Sequence, residues 1–171
     1  MRRFYTLVTV IGAAAACGGP APKATYESST FTRGEEAFHV DPPPRWEPVK
    51  TSGDLAWRAP DADAVIAANA TCRGHQDAPL SVLVNDLVMG TTQREVLLDE
   101  TARLDGREAR HQVVQARLDG VPLVYDLYVV KKDGCVYDLT LVTPPRSYET
   151  TADTFVTFVA GFRGKGKGTD E

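Results

Sequence analysis

The sequence predicts an α+β domain, an antiparallel β-sheet built as a meander of long hairpins and flanked by helices. Three observations carry this. Asp-Gly pairs stand at Asp105-Gly106, Asp119-Gly120 and Asp133-Gly134, fourteen residues apart each time. The segments between them carry large apolar residues on both faces of an extended chain. An apolar stripe with helical spacing lies on either side of that block.

The chain opens on an export signal over residues 1–16. Arg2 and Arg3 are basic, Phe4 to Ile11 is apolar, and Ala13 to Ala16 are small, the layout of a secretory leader. The apolar run is about a dozen residues, whereas a membrane-spanning helix needs about 20. The next stretch, residues 17–37, is rich in Gly, Pro, Ser, Thr and Ala and is expected to be a flexible tether. A single domain is expected over 38–163, and 164–171, with glycines alternating with charge, as a disordered tail.

Within the domain, Trp46 to Lys50 is a possible strand after the stiff Pro42-Pro43-Pro44. Leu55 to Ala59 and Ala64 to Cys72 form a hairpin around Pro60-Asp61-Ala62-Asp63. Leu80, Leu83, Val84, Leu87 and Val88 make one helical stripe, with Pro79 at its start and Gly90 at its end, residues that suit those positions. The Asp-Gly turns then define four strands at about 94–104, 107–118, 121–132 and 135–143, because Asp-Gly tolerates the positive φ of a type I′ hairpin turn. Two-residue turns set Leu118 opposite Val121 and Lys132 opposite Cys135. One sheet face then carries Val96, Leu98, Leu104, Val113, Val124, Tyr128, Val130, Tyr137, Leu139 and Leu141. The other carries Leu97, Val114, Leu118, Leu123, Tyr125, Leu127, Val129 and Val142. Both faces need cover, although Glu100, His111 and Asp126 interrupt the apolar pattern and a bulge would shift the register. The last helix carries Phe155, Phe158, Val159 and Phe162, with Ser147 as its N-cap.

Two resemblances follow from these residues. The leader's end, Ala14-Ala15-Ala16-Cys17, resembles the lipobox of bacterial lipoproteins. That implies a mature chain beginning at Cys17 and anchored by a diacylglyceryl thioether plus an acyl chain. Lipoproteins usually have Leu where Ala14 stands, and Ala14-x-Ala16 also suits ordinary signal peptidase, which would release a soluble periplasmic or secreted protein. By the same resemblance Gly18 implies an outer-membrane location facing the periplasm. The element order (strands, helix, four-stranded meander, helix) and the pattern DTFVTFVAGF over residues 153–162 resemble the PsbP-like α/β/α sandwich group. That group includes extrinsic photosystem subunits and small bacterial envelope lipoproteins. The resemblance implies binding or assembly without catalysis, and carries no site residues onto this chain.

The remaining chemistry is sparse. The formal net charge is −4, and removing Arg2 and Arg3 makes it more acidic, which argues against nucleic-acid binding. The three cysteines are Cys17, Cys72 and Cys135. With Cys17 lipidated, Cys72 and Cys135 are expected to pair in an oxidising compartment; the alternative is two buried thiols that never meet. His39, His75 and His111 lack metal-ligand spacing, and Asp61-Ala-Asp63 lacks the further oxygen ligands of a calcium loop. No nucleophile elbow, phosphate loop or dinucleotide fingerprint occurs, so neither cofactor nor metal is expected. Scattered carboxylates such as Asp99, Glu100 and Asp126 could meet only in the folded chain. Tyr125, Tyr128 and Tyr137 are the candidate binding surface, since a tyrosine ring with a polar tip suits one. The expectation is a non-catalytic envelope lipoprotein whose domain binds a protein partner and supports an envelope complex. The alternatives are a small-molecule or lipid carrier, and a hydrolase with an unrecognised site.

Overall fold

The computed structural model describes residues 25–27, 30–34, 36–74 and 77–165. Its strands and helices run β1 (Thr25–Glu27), β2 (Thr30–Arg33), β3 (Glu36–His39), β4 (Glu47–Pro48), β5 (Leu55–Arg58), β6 (Val65–Thr71), α1 (Leu80–Asp86), β7 (Thr92–Leu104), β8 (Arg107–Leu118), β9 (Val121–Lys132), β10 (Cys135–Thr143), α2 (Tyr148–Ala160) and β11 (Arg163–Lys165). A 3-10 turn, Pro145–Ser147, leads into α2.

The Asp-Gly pairs decide the main sheet. Asp105, Asp119 and Asp133 have φ of 48°, 50° and 50°, and the glycines after them 76°, 82° and 78°. Positive φ at both central residues is the type I′ geometry, whose twist matches the strands it joins. The meander β7–β8–β9–β10 follows, with Leu118 opposite Val121 and Lys132 opposite Cys135 as expected. Antiparallel pairing of β10 with β6 extends it, so the seven-stranded sheet runs β4-β5-β6-β10-β9-β8-β7.

Each face has its cover. On one, Phe155, Phe158, Val159 and Phe162 from the α2 segment meet Trp57, Ile66, Tyr137, Leu139 and Leu141. Trp57 sits edge-on to Phe158 with ring centroids 5.6 Å apart. On the other, Leu83, Val84 and Val88 pack on Val114, Tyr125, Leu127, Val129 and Val136. The layers are helix, sheet, helix, as a sheet apolar on both sides requires. The N-cap of α2 is Ser147, but its hydroxyl makes no capping bond. Its carbonyl instead accepts from the hydroxyls of Thr150 and Thr151.

Four expectations need correction. The stretch read as a tether over 17–37 contributes strands β1, β2 and the start of β3, which join β11 in a second sheet ordered β1-β2-β3-β11. Phe31 and Phe38 explain why: both are wholly buried and stack 5.1 Å apart in the core on the α2 side. The tail does not begin at residue 164 either, since Gly164 pairs with Phe38 in β11. Its N–H donates to Asp105 Oδ2 at 2.9 Å, and an added Cβ would stand 3.0 Å from the Tyr137 ring. Val96 lies opposite Val114, on the α1 side, because the β7 register shifts between Val96 and Leu98. Finally, Tyr125, Tyr128 and Tyr137 do not share one surface. Tyr125 is buried beneath α1, whereas Tyr137 is buried on the opposite face with its hydroxyl donating to the Ala37 carbonyl. An odd-numbered residue on β9 and one on β10 project to opposite sides in the observed register.

Arg33 ties the small sheet to the large one through an ion pair with buried Asp54 at 2.6 Å. Cys72 and Cys135 form a disulfide 63 positions apart, linking the end of β6 to the start of β10. Cys17, His75 and residues 166–171 lie outside the described residues.

Candidate functional site

Two features of the meander's far end stand out. The first is a buried ionic chain. On the α2 face, β7 sets Glu100 opposite His111 of β8, and β8 sets His111 opposite Tyr128 of β9. His111 Nδ1 lies 3.1 Å from Glu100 Oε1 and its Nε2 lies 2.8 Å from Asp126 Oδ1. The Tyr148 hydroxyl donates to the second Asp126 oxygen at 3.0 Å. The Tyr128 ring stacks on the imidazole at 4.0 Å. His111 is 9 % exposed and Asp126 3 %. A carboxylate can only accept, so flanking carboxylates on both ring nitrogens favour the doubly protonated imidazole. Burial alone would lower the His111 pKa, but the bonds to Asp126 and Glu100 outweigh it and raise it. Burial, with the neighbouring Asp126 charge, holds the Tyr128 phenol up to about 12. The sequence had shown Glu100, His111 and Asp126 only as interruptions of the apolar faces. Their alternation on three consecutive strands was the signal that they meet.

Chemically, this chain is a brace. It runs from α2 through β9 and β8 to β7, and both imidazole nitrogens are engaged, so neither is free to take a proton from a substrate. Neutral phenols with raised pKa values add hydrogen bonding and no nucleophile. No group of three or more His, Cys, Asp or Glu side chains among the described residues could hold a metal ion.

The second feature is the outer strand. β7 closes the sheet order of the described residues; its end, Ala102 and Leu104, packs into the α2-side core, and the rest of the strand is exposed. Val96, Leu97 and Leu98 are 55 %, 51 % and 37 % exposed. Large apolar side chains on a strand with no neighbour on its outer side among the described residues are a ready template for another strand. At the other end of the molecule, loops leave open depressions. One has a volume of about 560 Å³ and is lined by Asp63, Val121, Pro122, Leu123, Pro144, Pro145 and Arg146. Arg146 pairs with Asp63 at 2.9 Å across it. Its walls are mostly proline and loop backbone, and it holds no convergent set of buried polar groups.

A seven-stranded antiparallel sheet with a helix on each face, in this element order, is the PsbP-like α+β fold, and solved structures agree. Cyanobacterial PsbP (CyanoP) from Synechocystis matches with a TM-score of 0.53 and 15 % identity over 91 % of this chain and 99 % of that one. LpqN, involved in cell envelope biogenesis of Mycobacterium tuberculosis, matches with a TM-score of 0.54 and 14 % identity over 87 % of each chain. A protein of Bacteroides thetaiotaomicron matches at 0.51 and 10 % identity, over 78 % of this chain and 47 % of that one. At these identities the likeness is one of fold. No family model and no curated protein matches the sequence.

Proposed function

We propose that this chain is a non-catalytic lipoprotein of the bacterial envelope, anchored through Cys17, whose extracytoplasmic domain docks another protein along the β7 edge. The observation that carries the reading is β7 itself, an outer strand of 13 residues with Val96, Leu97 and Leu98 exposed. Added strands recognise such an edge through main-chain bonds, with alternate side chains giving specificity. The brace supports the same reading, since Glu100 ties the exposed middle of β7 to His111, Asp126 and, through Tyr148, to α2. A structural disulfide suits an oxidising compartment, and LpqN, which shares the fold, is described as involved in cell envelope biogenesis.

The test is site-specific photo-crosslinking in the native host. A photoreactive residue at Leu97 is expected to capture a defined product that the same residue at Val156, exposed on α2, does not. The captured protein must then bind the purified full chain and lose affinity about tenfold on Leu97→Glu. Equal products from both positions, or binding indifferent to Leu97→Glu, would remove β7 as the docking edge.

A further inference from the structure

We infer that the β7 edge is self-complementary and that two copies of this chain pair antiparallel across it, with the two-fold axis at Thr101. This rests on the reading of β7 as the docking edge and names its occupant.

The argument begins at the turn. Leu104 and Arg107 flank the two-residue turn Asp105-Gly106, so they form a hydrogen-bonded pair, and such pairs alternate along an antiparallel hairpin. From Leu98 to Leu104 the register with β8 is unbroken. In that stretch Leu98, Glu100, Ala102 and Leu104 direct their backbone groups into the sheet. Asp99, Thr101 and Arg103 direct theirs outward, and β7 is last in the sheet order of the described residues.

An antiparallel partner must set outward residues against outward residues. For two identical strands this leaves few positions for the axis. An axis at Asp99 or Glu100 opposes a carboxylate to its own copy. One at Arg103 opposes arginine to arginine, and one at Ala102 pairs Glu100 with Leu104. The axis at Thr101 is different. It sets Asp99 opposite Arg103 twice, Thr101 opposite Thr101 and Glu100 opposite the small Ala102 twice, while Leu98 stands level with Leu104, which is already buried in its own core. The stretch LDETARL is close to a palindrome in chemistry: apolar ends, acid against base, threonine at the centre. Directly opposed side chains stand about 5 Å apart at Cβ, close enough for each pair to interact. About six backbone hydrogen bonds would form across the axis.

The charged groups of the central pairs are available. Arg103 donates to the Gly106 carbonyl at 3.2 Å from an exposed position. Asp99 already meets Arg110 at 2.6 Å, and a carboxylate has acceptor capacity for a second guanidinium. The register shifts on β7, between Thr92 and Glu95 and between Val96 and Leu98, end the pairable stretch. They leave Val96 and Leu97 opposite the partner's Asp105-Gly106 turn.

The experiment is sedimentation velocity on the full chain, purified in detergent, with three variants. The wild type is expected to dimerise. Arg103→Asp, which opposes two acids twice, is expected to raise the dissociation constant by about tenfold or more. The swap Asp99→Arg with Arg103→Asp is expected to restore it. Thr101→Cys should oxidise to a covalent dimer linked at position 101, as peptide mass would show, and Glu95→Cys should not. Thermal melting of each variant confirms that it is folded. A monomer at concentrations up to about 100 μM would overturn the inference, as would a dimer indifferent to Arg103→Asp with no linkage at Thr101→Cys. A monomer that still gives the Leu97-specific crosslink to another protein would overturn only the self-pairing, whereas loss of both would overturn the docking edge as well.

Discussion

His111 shows how a single side chain acquires meaning only from its neighbours. In the sequence it is one of three histidines without ligand spacing; in the fold it bridges Glu100 and Asp126. Replacing it by leucine would leave Asp126 buried beside Tyr148 without its cation, and breaking a buried pair from one side typically costs about 3–5 kcal/mol. Denaturant unfolding of His111→Leu is expected to show a loss of that order. The pH dependence should carry the same signature. The folded His111 pKa lies above its ordinary 6.5, so its contribution is complete below that value and drains away as pH rises through the higher folded value. Asp138 acts in the same direction. Burial pushes its carboxyl up from 3.8 to about 6, against the favourable bond from the Asn69 amide. The fold therefore prefers its acid form, an advantage full below 3.8 and lost towards about 6. The melting temperature should fall as pH rises across both windows, and His111→Leu should flatten the upper one. A melting temperature that climbs steadily from acid to neutral pH would contradict this account. Tyr125 gives the opposite kind of test. Its hydroxyl is buried beneath α1 without a hydrogen-bond partner among the described residues. Removing an unpaired buried polar group relieves its desolvation, so Tyr125→Phe is expected to gain about 1 kcal/mol in the same unfolding assay.

At the scale of elements, local chemistry wrote most of the meander. The Asp-Gly turns placed β8, β9 and β10 where two-residue hairpins require, and the helical stripes at Leu83–Val84 and Phe155–Phe158 became the buried faces of α1 and α2. What local chemistry could not reveal was the second sheet. β2 and β3 are four residues each, too short for a period-two pattern to rise above a Gly- and Ser-rich background. They form because Phe38 finds Tyr137 and Phe162 in space and Phe31 stacks on Phe38. The disulfide lies between these cases. Cysteine count suggested a bridge, but only the pairing of β6 with β10 brings Cys72 and Cys135 together, just beyond the Thr71–Val136 pair. Replacing both cysteines by serine should cost about 4 kcal/mol on the chain-entropy model, read as a lower denaturant midpoint. A midpoint unchanged from the reducible wild type would show that the link constrains nothing the strand pairing has not already fixed.

For the molecule as a whole, the sheet is covered on both faces in its middle, and among the described residues β7 stands last in the order with most of its residues exposed. Intact mass spectrometry of protein from its host's membranes is expected to show a chain beginning at Cys17, carrying acyl chains and two hydrogens light for the Cys72–Cys135 bond. An unlipidated mass beginning near Cys17 would make it a diffusible protein and remove the membrane-proximal role. The hairpin meander and the two covering helices were determined by the sequence alone, because turns and amphipathic stripes are encoded by residues within a few positions of one another. The joining of β2 and β3 to the domain, the brace from Tyr148 to Glu100 and the place of β7 at the end of the sheet order of the described residues were decided only by the tertiary structure. Each depends on which distant strands become neighbours, and a strand's own pattern does not say whether it will lie at the centre of a sheet or at its edge.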